Sequence, residues 1–165
     1  MTLAIPVHRN TPPAGKAGEF DFLSGEWAIS HRQLRSSKPD VWDTFEGEAT
    51  CWSILDGTVS IEELRIPSRN FSGMGLRMLD QQKQLWSDFW VNARTGAFLA
   101  PGVVGGFADG RGVFISDESE ADQRILLRGT WDNITTSSCR WQQATSRDGG
   151  QTWDTNWSMA WARVG

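Results

Sequence analysis

The stretch FDFLSGEWAISHRQL (residues 20–34) joins a short apolar cluster to an alternating segment. Its first four residues predict a single helical or 3₁₀ turn that plugs one end of a barrel. In residues 26–34 Trp27, Ile29 and His31 recur at every second position, so they share one face of a strand. We therefore expect a half-buried β-strand directly after the turn.

Strand-like segments of the same kind fill the rest of the chain. They are rich in aromatic and β-branched residues and are separated by turn signals such as Asp56-Gly57 and Asp109-Gly110. No segment keeps a helical period over three turns. The further predicted strands are residues 42–53, 58–66, 73–79, 85–92, 103–107, 112–116, 125–131, 139–145 and 153–163.

About ten short strands at near-regular spacing predict one all-β domain. An antiparallel up-and-down order is the simplest topology, because strands adjacent in sequence usually pair. An open sheet of this size would leave two long edges, and closure into a β-barrel removes them. We expect the barrel in residues 19–165, after a flexible Pro- and Gly-rich arm in residues 1–18.

The composition excludes several classes of partner. Among 165 residues there are 10 Trp and 8 Phe but no Tyr, so large rings supply much of the expected core. The net charge is −4 and no Lys/Arg cluster occurs, which argues against nucleic acid. No apolar run approaches the roughly 20 residues of a membrane helix, so no membrane partner is expected.

Cysteine usage and the first residues bear on localisation. Cys51 and Cys139 lie far apart and belong to no CxxC or Cys/His cluster. We expect two buried free thiols, with a disulfide as the alternative. Residues 1–10, which include His8, lack the apolar core of a signal peptide. These observations favour a cytoplasmic protein.

Gly25-Glu26-Trp27 resembles the G-x-W motif that opens the first strand of lipocalins and their calycin relatives. In those proteins the Trp packs across the closed end of the barrel, under an Arg from a late strand. The resemblance implies a lipocalin-like barrel in which Arg163 or Arg140 covers Trp27.

A broader similarity covers most of residues 20–163. It is carried by F-D-F-L-x-G-x-W at 20–27, the Trp-rich segment 86–90, ARTG at 93–96 and DGGQTWDTNW at 148–157. These motifs look like those of DUF1579, a family of uncharacterised bacterial domains. The resemblance implies a calycin-like barrel that often self-associates and has no settled activity.

Residues 146–153 (SRDGGQTW) match S-x-D-x-G-x-T-W, the Asp-box of sialidases and other propellers. In that hairpin turn the Asp caps backbone N–H groups, the Gly supplies a positive φ and the Trp anchors the turn. Because a propeller needs one copy per blade, we interpret this single copy as a structural turn without glycosidase function.

Residues 85–92 (LWSDFWVN) supply the first candidate ligand-binding residues. Strand alternation places Trp86, Asp88 and Trp90 on one face. Aromatic walls with a few polar groups are typical of ligand cavities, so we predict that these three residues bind a ligand. The alternative is that Asp88 only accepts Trp N–H bonds or pairs with Arg77 on the preceding strand.

The late strands and the arginines extend the candidate site. Trp141 and Gln143 share a face, and Asn156 lies beside the Asp-box turn. Gln143 and Asn156 are predicted to hydrogen-bond a ligand, or else to satisfy loop backbone. Arg77 and Arg128 are candidates for an anionic head group, with ion pairing or solvation as the alternative.

His31 is the remaining candidate. If Trp27 faces inward, so does His31, where it is a polar anchor or a general base, or else a satisfied structural imidazole. No nucleotide-binding loop, zinc motif or nucleophile elbow occurs, and the acidic loop 117–122 lacks calcium spacing. No histidine after His31 offers a late axial haem ligand. No metal and no cofactor are therefore expected.

Three hypotheses follow. The leading one is binding of a small hydrophobic or amphipathic molecule in an aromatic-lined barrel. The second is a cofactor-free cyclase, isomerase or hydratase that uses His31 or Asp88 as acid or base in the same cavity. The third is a structural homodimer formed through outward Trp side chains, and a homodimer is expected in any case.

Overall fold

The computed structural model describes residues 11–38 and 40–165, so residues 1–10, with His8, and residue 39 lie outside the described residues. Within these ranges no helix is long and apolar enough to cross a membrane. The described chain forms two 3₁₀ turns, Asp21–Leu23 and Pro67–Arg69. Its strands are β1 (Gly25–Leu34), β2 (Trp42–Ile54), β3 (Val59–Ile66), β4 (Phe71–Asp80), β5 (Leu85–Asn92), β6 (Val103–Ala108), β7 (Arg111–Glu120), β8 (Gln123–Asp132), β9 (Ser138–Ser146) and β10 (Asp154–Arg163).

The strands form one closed antiparallel barrel in sequence order. Each strand pairs with its neighbours in the chain, and β10 pairs with β1 to close the sheet. Trp27 on β1, for example, lies opposite Ala49 on β2 and Arg163 on β10. This strand order confirms the predicted all-β, up-and-down barrel. Since the hairpins follow one another in sequence and the first and last strands pair, the sheet has no free edge.

Apolar side chains of the first 3₁₀ turn fill one end of the barrel. Phe20 and Leu23 are buried, and the Phe20 ring packs edge-on against Trp86 and Phe107 at 5.0 and 4.9 Å. The Trp27 indole donates a 2.7 Å hydrogen bond to the Leu23 carbonyl, which fixes the turn on β1. The predicted plug is therefore present, and we call this the closed end.

Arg163 covers Trp27 from outside. Its guanidinium lies 4.3 Å from the centre of the Trp27 ring and donates hydrogen bonds to the carbonyls of Phe22 and Ser24. Gly25, at φ 122°, leaves the space that the guanidinium occupies. Of the two expected arginines Arg163 has this role.

Glycines on the inner wall make room for large side chains of neighbouring strands. A β-carbon at Gly73 would lie 2.3 Å from the Trp90 ring, and one at Gly129 would lie 3.2 Å from the Trp141 indole nitrogen. Small residues beside large ones let the barrel hold many aromatic rings without clashes.

The last residues of the predicted arm lie against the closed end. The Gly15 amide donates to the Gln84 carbonyl at 2.8 Å, and the Gly18 amide donates to the Gly57 carbonyl at 2.9 Å. Gly15 is buried against Leu79. The boundary between arm and barrel stays a prediction.

The Asp-box residues form the expected turn. The Asp148 carboxylate accepts hydrogen bonds from Thr152 and Ser146 side chains and from the Gln151 and Thr152 amides. These bonds lower the pKa of Asp148 to about 2. The Trp153 indole donates back to the Gly150 carbonyl at 3.1 Å. Cys51 and Cys139 are both buried free thiols, as expected.

Candidate functional site

The barrel holds a cavity of about 900 Å³ between the closed end and the opposite end. Aromatic and aliphatic side chains form most of its wall, with a charged cluster at the bottom and polar side chains at the mouth. Its lining residues are Gln33, Phe45, Glu62, Leu64, Ile66, Arg69, Phe71, Arg77, Asp88, Trp90, Asn92, Arg94, Val103, Phe114, Ser116, Glu118, Leu127, Gly129, Trp131, Trp141, Gln143, Trp157, Met159 and Trp161.

Three charged side chains from adjacent strands meet at the bottom of the cavity, and we call them the floor. Arg77 Nη2 lies 2.6 Å from Glu62 Oε2, and Arg77 Nε lies 3.4 Å from Asp88 Oδ1. The guanidinium sits over Gly75 and 5.5 Å from the Phe20 ring of the plug. Strand register creates this cluster, because Arg77 pairs with Asp88 and Gly75 pairs with Glu62.

Asp88 is the floor residue that a ligand can reach. A quarter of its side-chain surface is exposed to the cavity, whereas Glu62 and Arg77 keep only 4% and 5%. Burial raises the pKa of Asp88 to about 6, and the attraction of Arg77 offsets that only in part. Burial also opposes the charge of Arg77, but Glu62 and Asp88 outweigh it and raise the pKa of Arg77. The Arg77 guanidinium thus forms ion pairs with both Glu62 and Asp88, and the contact with Glu62 is the shorter one.

Two indoles beside the floor carry N–H groups without hydrogen-bond acceptors. Trp131 Nε1 and Trp161 Nε1 are buried and have no partner among the described residues, and the same holds for Arg77 Nη1. The Trp131 and Trp161 rings pack edge-to-face at 5.3 Å, so each ring is held in place by the other.

His31 supports the wall from behind and does not line this cavity. Its ring stacks on Phe45 at 4.6 Å, and the Trp157 indole donates a 3.2 Å hydrogen bond to His31 Nδ1. Burial, with a smaller contribution from Arg69, lowers the pKa of His31 to about 4. A neutral imidazole that accepts at Nδ1 carries its proton on Nε2, and that nitrogen faces Gly47.

Arginines lie at the mouth. The Arg69 guanidinium stacks 3.7 Å above the Phe45 ring and donates to Gln33. Arg94 donates to the backbone carbonyls of Arg69 and Asn70, which orients it at the cavity edge. Arg69 also lies 3.6 Å from Asp43, and Glu118 lines the cavity too, so charges of both signs lie here.

The structure brings part of the predicted site together. The predicted residues that line the cavity are Arg77, Asp88, Trp90, Trp141 and Gln143. Asp88 also pairs with Arg77, which is the structural alternative that the sequence left open.

The other predicted residues lie elsewhere. Trp86 faces inward but is sealed beneath the plug, where its indole donates to Glu19 at 3.2 Å. Arg128 lies 4.2 Å from the Trp153 ring, beside the Asp-box turn and outside the cavity lining. Asn156, at an irregularity of β10, accepts from Gln143 and donates to Thr145, so it positions the cavity residue Gln143.

Sequence analysis missed Glu62 and the aromatic pair Trp131 and Trp161. The alternation of β3 already puts Glu62 on the face of Leu64 and Ile66, which was a usable signal for an inward carboxylate. Glu62 pairs with Arg77 on the next strand, and Arg77 also contacts Asp88. The cluster of Glu62, Arg77 and Asp88 depends on the register of two strand pairs, β3–β4 and β4–β5.

Comparisons with known proteins support the fold alone. No protein-family model matches this chain, and no curated protein matches it. Membership of the DUF1579 family is therefore not supported. A solved structure from Nostoc punctiforme, a protein of unknown function from the DUF3598 family, is similar over 94% of this chain, with a TM-score of 0.55 and 14% sequence identity. This chain spans only 53% of that protein's length.

Proposed function

We propose that this chain binds a small hydrophobic or amphipathic molecule inside the barrel. The observation that carries this proposal is the cavity of about 900 Å³, walled by aromatic and aliphatic side chains. Cavities of roughly 300–1,000 Å³ with mostly apolar walls and a few polar groups are typical of small-molecule sites. The five Trp side chains at this cavity line it rather than fill it, and they are Trp90, Trp131, Trp141, Trp157 and Trp161.

The packing of the wall supports a cavity that stays open. Trp157 is held by His31 and packs edge-on against Trp141 at 5.8 Å. Phe45 lies between the His31 ring and the Arg69 guanidinium. Side chains fixed on both sides resist collapse into the cavity, so the site is largely formed before a ligand arrives.

The first experiment is native mass spectrometry of the protein purified from its host, under gentle and denaturing conditions. We expect a small molecule that leaves on denaturation. Titration of the purified protein with the neutral apolar dye N-phenyl-1-naphthylamine gives a second readout, and we expect dye fluorescence to rise in a saturable way.

A matched pair of variants locates the dye. Ser116 lines the cavity, whereas its neighbour Ile115 points outward on the same strand. We expect Ser116→Trp to weaken dye binding at least tenfold and Ile115→Trp to leave it unchanged. Equal affinity in both variants, with both folded by circular dichroism, would place the dye outside the barrel and contradict the proposal.

An acid–base enzyme in the same cavity is the second candidate. The favouring observation is Asp88, a cavity-facing carboxyl whose pKa is raised to about 6, close to the range useful for proton transfer. His31 is less suited, because it lies behind the wall. If the co-purified molecule gains deuterium in heavy water with the wild type but not with Asp88→Asn, this function is supported; no exchange with either protein counts against it.

We also propose that the chain forms a homodimer. Ile54, Met78 and Val104 are exposed on the outer surface, and Trp52 lies beside them. Strand pairing places the first three in one row across β2–β6. Val59 and Ser87 complete this row, and exposed apolar patches are common interfaces between copies of a protein. A reducing, cytoplasmic location is likewise proposed, with the free thiols Cys51 and Cys139 in support.

A further inference from the structure

The floor of the cavity has a surplus of negative charge. Glu62 and Asp88 together face a single cation, Arg77. When Asp88 is ionised, which its pKa of about 6 allows at neutral pH, the cluster carries one negative charge more than positive. Val103, opposite Asp88 on the next strand, adds no charge. The surplus lies on the floor residue that the cavity can reach.

Arg77 is already engaged by two carboxylates, although its Nη1 has no partner among the described residues. Its side chain is 95% buried, with Glu62 2.6 Å from Nη2 and Asp88 3.4 Å from Nε, so a ligand reaches Asp88 more readily than Arg77. A carboxylate entering the cavity would meet the accessible carboxyl of Asp88. Bringing like charges together in a partly desolvated space is unfavourable.

The walls above the floor favour a cation as well. Trp131, Trp141, Trp161 and Phe114 all line the cavity, and the Trp131 ring lies 5.5 Å from the Arg77 guanidinium of the floor. The faces of aromatic rings are negative, and cations within about 6 Å of them are attracted by roughly 0.5–2 kcal/mol. A carboxylate at the base of an aromatic cavity is therefore complementary to an organic ammonium group.

We propose that the ligand is a small amphipathic amine, whose ammonium group pairs with Asp88 at the cavity floor while its apolar part lies against the Trp walls. This inference rests on the proposed binding function and specifies its ligand. It also assigns an orientation, with the charged group inward and the apolar part toward the mouth.

The test compares three linear probes of equal length, octylamine, octanol and octanoate, by quenching of intrinsic Trp fluorescence at pH 7.5. We expect octylamine to bind at least tenfold more tightly than octanoate, with octanol between them. In Asp88→Asn, which keeps the size of the side chain, we expect the affinity for octylamine to fall to that for octanol, while octanol binding changes less than twofold.

The outcomes separate this inference from the function on which it rests. Octanol binding without a preference for octylamine would overturn the inference alone, as would a preference that survives Asp88→Asn. Tighter binding of octanoate that is lost in Arg94→Gln would place an anion at the mouth and also overturn it. If none of the three probes binds to the folded protein, the binding function fails and the inference fails with it.

Discussion

Arg77 stabilises two carboxylates from the centre of the floor. Glu62 and Arg77 are both almost fully buried, so neither charge is solvated when the other is removed. Breaking such a buried pair by removing one partner costs about 3–5 kcal/mol, whereas replacing both partners together costs far less. At this cluster a single substitution is therefore expected to destabilise the protein much more than the matched double substitution.

The first prediction concerns this pair. We expect Arg77→Met to lower the free energy of unfolding by about 3–5 kcal/mol, because Glu62 remains buried and unpaired. The double variant Glu62→Gln/Arg77→Met should recover more than half of that loss. Urea denaturation measures both, and a single variant within 1 kcal/mol of the wild type would contradict the role of Arg77.

Two buried groups make opposite contributions to the pH dependence of stability. The pKa of Asp88 is raised to about 6 from about 3.9 in an unfolded chain, so its contribution is present below pH 3.9 and lost as pH rises through 6. The pKa of His31 is lowered to about 4 from about 6.5, so its contribution is present above pH 6.5 and lost as pH falls through 4. Each change amounts to about 3 kcal/mol.

The second prediction follows from this opposition. Between pH 4.5 and 6 the two slopes nearly cancel in the wild type. We expect Asp88→Asn to show a free energy of unfolding that rises with pH over this range, and His31→Gln to show one that falls, by about 2 kcal/mol in each case. The readout is the slope of denaturation midpoints with pH, which a uniform loss of stability does not change. Parallel slopes in the two variants would show that these groups do not titrate as described.

At the scale of elements, Arg163 joins the end of β10 to the plug and to the start of β1. It stacks on Trp27 and donates to carbonyls of Phe22, Ser24 and Thr136. None of these three residues belongs to a strand, so no strand ladder satisfies their carbonyls. One side chain therefore holds the closed end together.

The third prediction compares Arg163 with Arg140, which stands on the adjacent strand and pairs with Asp132 at 2.7 Å. We expect Arg163→Met to lower the free energy of unfolding by about 3 kcal/mol, since several charged hydrogen bonds and a ring contact are lost. Arg140→Met should cost less, about 1–2 kcal/mol, because Asp132 loses its partner but the Arg140 side chain itself is 38% exposed. Thermal unfolding followed by circular dichroism compares the two. Equal losses would mean that Arg163 has no special role at the closed end.

For the whole molecule, the proposed homodimer would form through the exposed apolar row on β2–β6. Met78 lies at its centre, with Ile54 and Val104 on either side. A carboxylate placed in the centre of an apolar interface is strongly unfavourable, because it would be buried without a partner.

The fourth prediction is that the wild type sediments as a dimer at micromolar concentration and that Met78→Asp sediments as a monomer. Ile115, an exposed apolar residue on β7, supplies the control, since Ile115→Asp should leave the dimer intact. Analytical ultracentrifugation distinguishes the two masses. A wild type that remains a monomer at all concentrations would rule out the homodimer.

Much of the barrel was predictable from sequence, because a strand is a local pattern. Alternation in residues 26–34 places Trp27, Ile29 and His31 inward, and all three are buried. The same rule placed Asp88 and Trp90 on the cavity face. The same rule excludes Arg128 from the cavity face. On β8 it lies three positions from Trp131, so when Trp131 points inward the side chain of Arg128 points outward.

The sequence alone determined that the strands follow one another around a closed sheet and, on β1 and β5, which face is inward. Only the tertiary structure decided how deep along the barrel each inward residue lies. Trp86 and Trp90 share one face of β5, yet the first is sealed under the plug and the second lies at the cavity. Likewise Glu62 meets Asp88 only through Arg77 on the strand between them. Depth and cross-strand partners depend on the register of every strand pair, and register is set by packing across the whole barrel rather than by the residues of one strand.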